Sequence, residues 1–384
     1  MVYLGASSSR AQPDDFPKLG QEIAATVRDR FFDRDKAEAW FRTHSRYADT
    51  ARTERDFVAL TRAALKDLHS SHTAYYTPDD RPYHDLLSIF RGSLKHKEVV
   101  VDSIGVDFTE DGFVRVVFAG GPGAKAGLRR GDKILKANGE AFEPFGSFRG
   151  RSGQDVRLTL QNRRDESPRE VVVQPRRIDI ADEWLEAQKL GSKLIERNGK
   201  TIAYMPFFTA AGKVYQDILR EAISDKFAKA DALILDFRNG WGGADPTFLN
   251  LFDRFPPVLE QVGRDGLRIR YDPHWRKPLF VLINSGTKSG KEAVVYAIQK
   301  HKIGTLVGER TGGAVLAGSP FLLDGGLMYL AVADIFVDGE RLEGKGVSPD
   351  REVNDRLEFA EGADPQLETA FDQAAGLQAP SAKS

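Results

Sequence analysis

Leu279-Phe280-Val281-Leu282-Ile283 runs into Asn284-Ser285-Gly286-Thr287-Lys288-Ser289-Gly290, and then into Glu292-Ala293-Val294-Val295-Tyr296-Ala297-Ile298. The apolar run has the length of a buried strand, the polar stretch with its glycine is a turn, and the last segment predicts a helix. Strand, turn and helix in that order form the repeating unit of an α/β core. Ser289 stands where the helix opens, so its hydroxyl projects from the end of the sheet. The first helical amides there can face a developing oxyanion. Taken alone, a serine at this place is more often a helix cap, and Ser285 reads equally as an ordinary turn residue.

The same alternation continues on both sides. Thr201-Ile202-Ala203-Tyr204-Met205 predicts a strand, followed by a helix with Val214, Ile218, Ala222 and Phe227 on one side. Ala232-Leu233-Ile234-Leu235-Asp236-Phe237 and Thr305-Leu306-Val307-Gly308 predict two more strands. Upstream, between Val99 and Ile178, the composition shifts to short strands and glycine turns. The strand candidates are Val99-Val100-Val101, Phe113 to Val117, Lys133-Ile134-Leu135, Val156 to Leu160 and Glu170 to Val173. Further upstream, Leu19, Ile23, Val27 and Phe31 recur every four residues. Phe57, Leu60, Ala64 and Leu68 make a second stripe, which predicts a helical region from Pro17 to Phe90. Ser71-His72 then falls in the turn after a helix.

Composition bounds the reading. The 384 residues are 41% hydrophobic and 29% charged, with a formal net charge of -1, so nothing points to a nucleic-acid partner. Cysteine is absent, which excludes thiol catalysis, disulfides and thiolate zinc sites. No apolar run reaches the ~18 residues of a transmembrane helix. Residues 1–16 read either as the remnant of a trimmed export signal, favouring an extracytoplasmic location, or as a disordered start, favouring the cytoplasm. The seven histidines include no His-Glu-x-x-His pair. His69 and His72 lack a compact set of further ligands, and neither a metal nor another cofactor is expected.

Gly120-Gly121-Pro122-Gly123-Ala124-Lys125-Ala126-Gly127-Leu128, followed by Gly131-Asp132, resembles a PDZ domain of the bacterial protease type. Three later stretches extend the likeness: Asp236-Phe237-Arg238-Asn239-Gly240-Trp241-Gly242-Gly243, Val307 to Gly313, and Gly344-Lys345-Gly346-Val347-Ser348-Pro349-Asp350. Their order and spacing resemble the tail-specific, or C-terminal-processing, serine peptidases (peptidase family S41), a family that includes the tricorn core. The resemblance implies a multidomain α+β chain. Its parts are an N-terminal helical bundle (17–92), a PDZ-like β-rich module (93–180), an α/β crotonase-like (ClpP-like) protease core (181–363) and a C-terminal helix with a loose tail (364–384).

The same resemblance places the nucleophile on Ser289. It implies an oxyanion hole from the Gly290 amide with that of Gly242 or Gly243. Many members pair the serine with a lysine, but the matching position here is Ala314, and an accompanying glutamine falls near Gly318. This departure favours the tricorn-like branch, which implies His72 as general base and Glu343 as the group orienting its ring. Ser71 is left to bind the ring, the substrate or an oxyanion. An imidazole titrates near neutrality and can accept and return a proton. Lys288 and Lys291 flank Ser289 but do not face it on a helix, and both read as solvated or substrate-facing. His69 reads as a surface or core partner, and Glu309 as an ion-pair partner of Arg310.

In the PDZ-like module, Ile104, Gly105 and Val106 read as a carboxylate loop and strand, with Phe108 and Leu128 lining an apolar pocket. An internal turn packed on the core is the plain alternative. The expected activity is peptide-bond hydrolysis through an acyl-enzyme, on polypeptides engaged by a C-terminus. A homo-oligomer is left open. The rival reading is a weakly catalytic or non-catalytic peptide-binding scaffold on the same fold. Ester hydrolysis is a lesser one, because no Gly-x-Ser-x-Gly elbow surrounds Ser289.

Overall fold

The four-residue apolar spacing near the start produces the helix Phe16–Arg30, the first element in a computed structural model that describes residues 16–376. The expectations for the start of the chain and for the loose tail lie, but for Phe16, outside those residues. The chain separates into two compact units. One holds residues up to Val99 together with Ala314–Glu343; the other holds Val100–Gly313 and the chain from Gly344 onward.

In the first unit, helices Arg34–His44 and Glu54–Lys66 are started by side-chain caps. Asp33 accepts from the Lys36 amide, and Thr53 and Asp56 make a reciprocal capping box. Ile23, Val27, Phe57, Leu65 and Leu68 bury their side chains together, with the Phe16 and Phe57 rings stacked at 5.3 Å between centroids. Trp40 donates its indole N–H to the Ala64 carbonyl at 2.7 Å, which satisfies a buried donor across two helices. The sequence pattern had not shown that strands belong here. Ala74–Tyr76 pairs antiparallel with Gly326–Asp334, which pairs antiparallel with Leu316–Leu323. The inward residues Leu316, Met328 and Leu330 complete the same core as the helices.

The second unit begins with the β-rich module. Lys133–Ala137, Val156–Gln161 and Arg169–Val173 form consecutive antiparallel strands, extended by Glu140–Ala141. Val106–Phe108 pairs on one edge with Val114–Val117, and Val100–Ser103 pairs with Arg176–Asp179. The core of this module contains Ile104, Val106, Phe108, Leu128 and Leu158.

The remainder is a six-stranded sheet in the order Lys193–Arg197, Lys200–Pro206, Ala232–Asp236, Leu279–Ile283, Thr305–Gly308, Arg351–Glu352. Only the first pairing is antiparallel; the other four are parallel. Ala232–Asp236 is buried at every position, the mark of a central parallel strand and the reason its sequence is an unbroken apolar run. Helices Ile180–Gly191, Lys213–Ser224, Gly290–Lys300 and Pro365–Ala374 belong to this part. In open parallel sheets the carboxyl ends of the strands carry the chemistry. Here those ends include Pro206, Asp236 and Ile283.

Phe57 is 2% exposed and contacts both Phe16 and Tyr75 through its ring. Phe57→Ala is expected to cost the first unit about 3–5 kcal/mol. Hydrogen exchange should show faster opening of its helices, with the central parallel strands of the second unit left at wild-type protection.

Candidate active site

Strand Leu279–Ile283 leads into a turn that is fixed by its own polar side chains. The Asn284 amide donates to Thr287 Oγ1 at 3.1 Å, and Thr287 Oγ1 donates to the Phe237 carbonyl at 3.0 Å. Ser289 ends this turn at φ 58 and ψ -133 and precedes helix Gly290–Lys300 without making a side-chain cap. Both features argue against the capping role. A serine held in this sparsely populated region costs of order 1–3 kcal/mol and persists only where its surroundings enforce it.

The enforcing surroundings are backbone. A Cβ on Gly242 would stand 2.6 Å from Ser289 Cβ, one on Gly290 would stand 2.7 Å from the Ala244 nitrogen, and one on Gly286 would meet Asn239. The turn after strand Ala232–Asp236 therefore lies directly on the turn that carries Ser289. Gly243 faces the other way, at φ 92 against Ala211. Among the described residues, the amides of Gly242, Gly243 and Gly290 make no backbone hydrogen bond. A small cavity of about 60 Å³ beside this turn is lined by Phe207, Gly243, Ala244 and Phe248 among others. A larger one of about 680 Å³, lined by residues including Met205, Arg220 and Tyr271, holds none of the expected site residues.

Glu292 and Lys291, beside Ser289, are both completely buried. Glu292 accepts from Thr311 Oγ1 at 2.5 Å and from the Gly313 amide at 2.8 Å. The expectation that Lys291 is solvated is wrong, while Lys288 is exposed as expected. Lys291 Nζ donates to the carbonyls of Phe207 at 2.6 Å and Asn239 at 3.0 Å. Its four-carbon stem reaches under the turn, where a position two residues from Ser289 gave no hint of direction. Arg238 is likewise interior, ion-paired to Asp236 and to Asp364, each at 2.7 Å.

Ser71, His72 and Glu343 meet in the first unit. His72 Nδ1 and Ser71 Oγ are 2.9 Å apart, and Ser71 Oγ donates to Glu343 Oε2 at 2.9 Å. The Glu343 carboxylate also accepts from the amides of Ser71 at 3.2 Å and Val315 at 2.7 Å. Ser71 Oγ, whose proton is directed to the carboxylate, can accept from a proton on His72 Nδ1. His72 itself has φ 54, a second strained position. Tyr329 packs its ring 5.6 Å from that of His72 and lies over Gly318, where any side chain would collide with it. Sequence reasoning missed Tyr329, since only strand pairing brings it to this turn. Helix Glu54–Lys66 ends before His69, which is exposed at φ 42. Glu309 accepts from the Asp355 amide, and Arg310 donates to Ser348, so the expected pairing between them is replaced by separate partners.

In the β-rich module the Gly105 amide donates to Ser103 Oγ at 3.0 Å, and the Gly105 carbonyl accepts from the Phe118 amide at 2.8 Å. Ile104, Val106, Phe108 and Leu128 are all buried in its core.

Residues 201–353 match the model of peptidase family S41, and residues 113–174 match a PDZ domain model. The chain is 28% identical over 277 residues to a carboxyl-terminal-processing protease of Synechocystis, a match covering 67% of this chain and 64% of that protein. It thus spans less than two thirds of that relative's length. Two solved structures share the fold. One, a photosystem II D1 C-terminal processing protease, is 22% identical with a TM-score of 0.52 and covers 91% of this chain and 98% of its own. The other, the tricorn protease, is 19% identical with a TM-score of 0.58 and covers 94% of this chain and 37% of its own. Residues 201–353 are thus what this chain shares with peptidase family S41, and the PDZ domain lies ahead of them.

Proposed function

We propose that this protein is a serine endopeptidase of the C-terminal-processing type, with Ser289 as nucleophile and His72, rather than a lysine, as its general base. The observation that supports the reading is the hydrogen-bonded chain His72–Ser71–Glu343, in which a proton carried on Nδ1 would make Nε2 the base. A lysine base is absent from the matching position, where Ala314 has only a methyl group. This supports a reading on the tricorn-like, Ser-His-Glu side of the family.

In the reaction, Ser289 Oγ attacks the scissile carbonyl while His72 Nε2 takes its proton, then gives it to the departing amine. Water enters with the proton path reversed and releases the acyl group. Glu343 stabilises the imidazolium through Ser71, whose hydroxyl relays the interaction. The Gly290 amide and that of Gly242 or Gly243 hold the oxyanion, each worth roughly 3 kcal/mol in the transition state. Polypeptides are the substrates. The PDZ domain binds their C-termini, with the amides around Gly105 receiving the carboxylate and Val106–Phe108 pairing with the peptide as an added strand. Phe108 and Leu128 form the apolar floor for the terminal side chain.

One observation favours a second reading. Loss of the family lysine at Ala314, with the edge strand Val106–Phe108 retained, fits a peptide-binding scaffold that no longer hydrolyses. A serine-directed fluorophosphonate separates the two. The peptidase is expected to be labelled on Ser289 and to cleave an unstructured polypeptide; folded protein doing neither would leave the scaffold.

Ser289→Ala and His72→Ala should each lower kcat by about 10⁴-fold or more, and the double variant should lose little beyond either single one. Ser71→Ala and Glu343→Gln should slow turnover and fluorophosphonate labelling together, with the folded fraction unchanged by circular dichroism.

A further inference from the structure

Among the described residues, Lys291 is a completely buried lysine that the proposed reaction leaves without a role. Its amine joins two chain segments from a third. The Phe207 carbonyl follows strand Lys200–Pro206, the Asn239 carbonyl lies in the turn after strand Ala232–Asp236, and the lysine itself is on the first turn of helix Gly290–Lys300. The Phe237 ring faces the amine at 5.8 Å, adding a cation–π contact. Above this tie the turn continues through Gly240, whose Cβ position is blocked by Phe208, to Gly242, which presses on Ser289.

We propose that Lys291 is a positioning residue for the oxyanion side of the site, its N–H groups holding the Asn239–Gly243 turn at the height that Ser289 chemistry requires. The inference rests on the serine peptidase reading. Lys291 is not assigned as the base: its amine donates to two main-chain carbonyls, that of Phe207 and that of Asn239 at the start of the turn. The held atoms are main-chain, so the requirement is for a donor of the right length. An apolar side chain of similar size would leave two buried carbonyls unpaired and the turn free to shift. A displacement of about 1 Å at such a place costs on the order of 10²-fold in rate.

The charged groups around the amine set its titration. Burial pushes Lys291 down to about 7, against the opposing field of Asp236. On the strand side Asp236 is shared by Arg238 and by the Tyr204 hydroxyl, and Asp364 holds Arg238 from the last helix. On its own helix Glu292 is turned to Thr311 and Gly313. Between pH 7 and the ordinary lysine value of 10.5, the unfolded chain holds one more proton at this residue than the folded chain. Stability therefore rises with pH across that window through this group.

The test compares wild type with Lys291→Met and Lys291→Gln in turnover of an unstructured polypeptide and in fluorophosphonate labelling. Folded Lys291→Met is expected to lose about 10²-fold in kcat with KM within about threefold, and labelling should slow in parallel. Lys291→Gln, which keeps an N–H donor, should recover at least about tenfold of that. In urea unfolding, the stability of wild type relative to Lys291→Met should increase from pH 7 to pH 9. A folded Met variant with wild-type kcat would overturn the proposal. So would a loss that merely tracks the unfolded fraction, failure of both variants to fold, or a stability difference that is flat with pH. Wild type that is neither labelled nor active would instead remove the peptidase reading itself.

Discussion

Main chain pressed on main chain governs the second unit. Four glycines, Gly240, Gly242, Gly286 and Gly290, each stand where an added Cβ would strike a neighbouring segment, and three of those collisions are within or against the two turns around Ser289. Glycine is the residue that allows such approach, so the contact is written into the sequence as an absence of side chains. Its consequence is rigidity at one place. With Gly242 against its Cβ and helix Gly290–Lys300 starting at the next residue, Ser289 is held in a conformation that serine otherwise avoids. Among the described residues, the amides of Gly242, Gly243 and Gly290 have no backbone partner.

Close backbone packing brings carbonyls into the interior, and these need partners. Lys291 supplies two of them. A buried ammonium is costly to desolvate, and the carbonyls, the Phe237 ring and the field of Asp236 offset only part of that cost, so burial still lowers Lys291 to about 7. The neighbouring carboxylate is balanced in turn. Asp236 and Asp364 grip Arg238 from two sides, and Asp364 also caps helix Pro365–Ala374 through the Leu367 amide. The Arg238 guanidinium beside Asp364 holds that carboxyl below its usual range despite burial. Tyr204, donating to Asp236, is pushed well above the ordinary phenol value, chiefly by burial. A strand end, a turn and the last helix are thereby tied into one charged cluster beneath the candidate nucleophile.

Much of this was legible in the residues. Unbroken apolar runs such as Ala232–Asp236 and Leu279–Ile283 read as buried strands of an α/β core, and they prove to be parallel strands. Helices with four-residue apolar stripes, such as Phe16–Arg30, were equally plain. What escaped was decided by pairing at long range. Leu316–Leu323 and Gly326–Asp334 follow the last helix–strand alternation in sequence, yet they share a core with helix Phe16–Arg30. Nothing local in their pattern names that partner. Lys291 escaped for a related reason. A lysine beside a turn is solvated unless something above it closes, and the closing element is a turn some fifty residues earlier, 52 between Lys291 and Asn239. Tyr329 reaches His72 only through the register that sets Tyr329 opposite Ala74.

The proposed change of base has a physical counterpart in side-chain volume. A lysine mechanism needs room for a long, flexible amine and for the group that steadies it. Ala314 is 8% exposed and ends in a methyl, while the space over Gly318 is filled by the Tyr329 ring. That ring rests against His72 and is itself largely buried, so its phenol is held in the neutral form above its ordinary range. An imidazole packed in this way, with Nδ1 engaged by Ser71 and the Glu343 carboxylate fixed by two amides and a hydroxyl, loses little further freedom when it takes a proton. Preorganised groups do not have to be rearranged as charge develops, which is where such sites gain most of their rate. Gly318 and Tyr329 are then a matched pair, the missing side chain of one making room for the ring of the other, and a longer side chain at 318 would have to displace that ring.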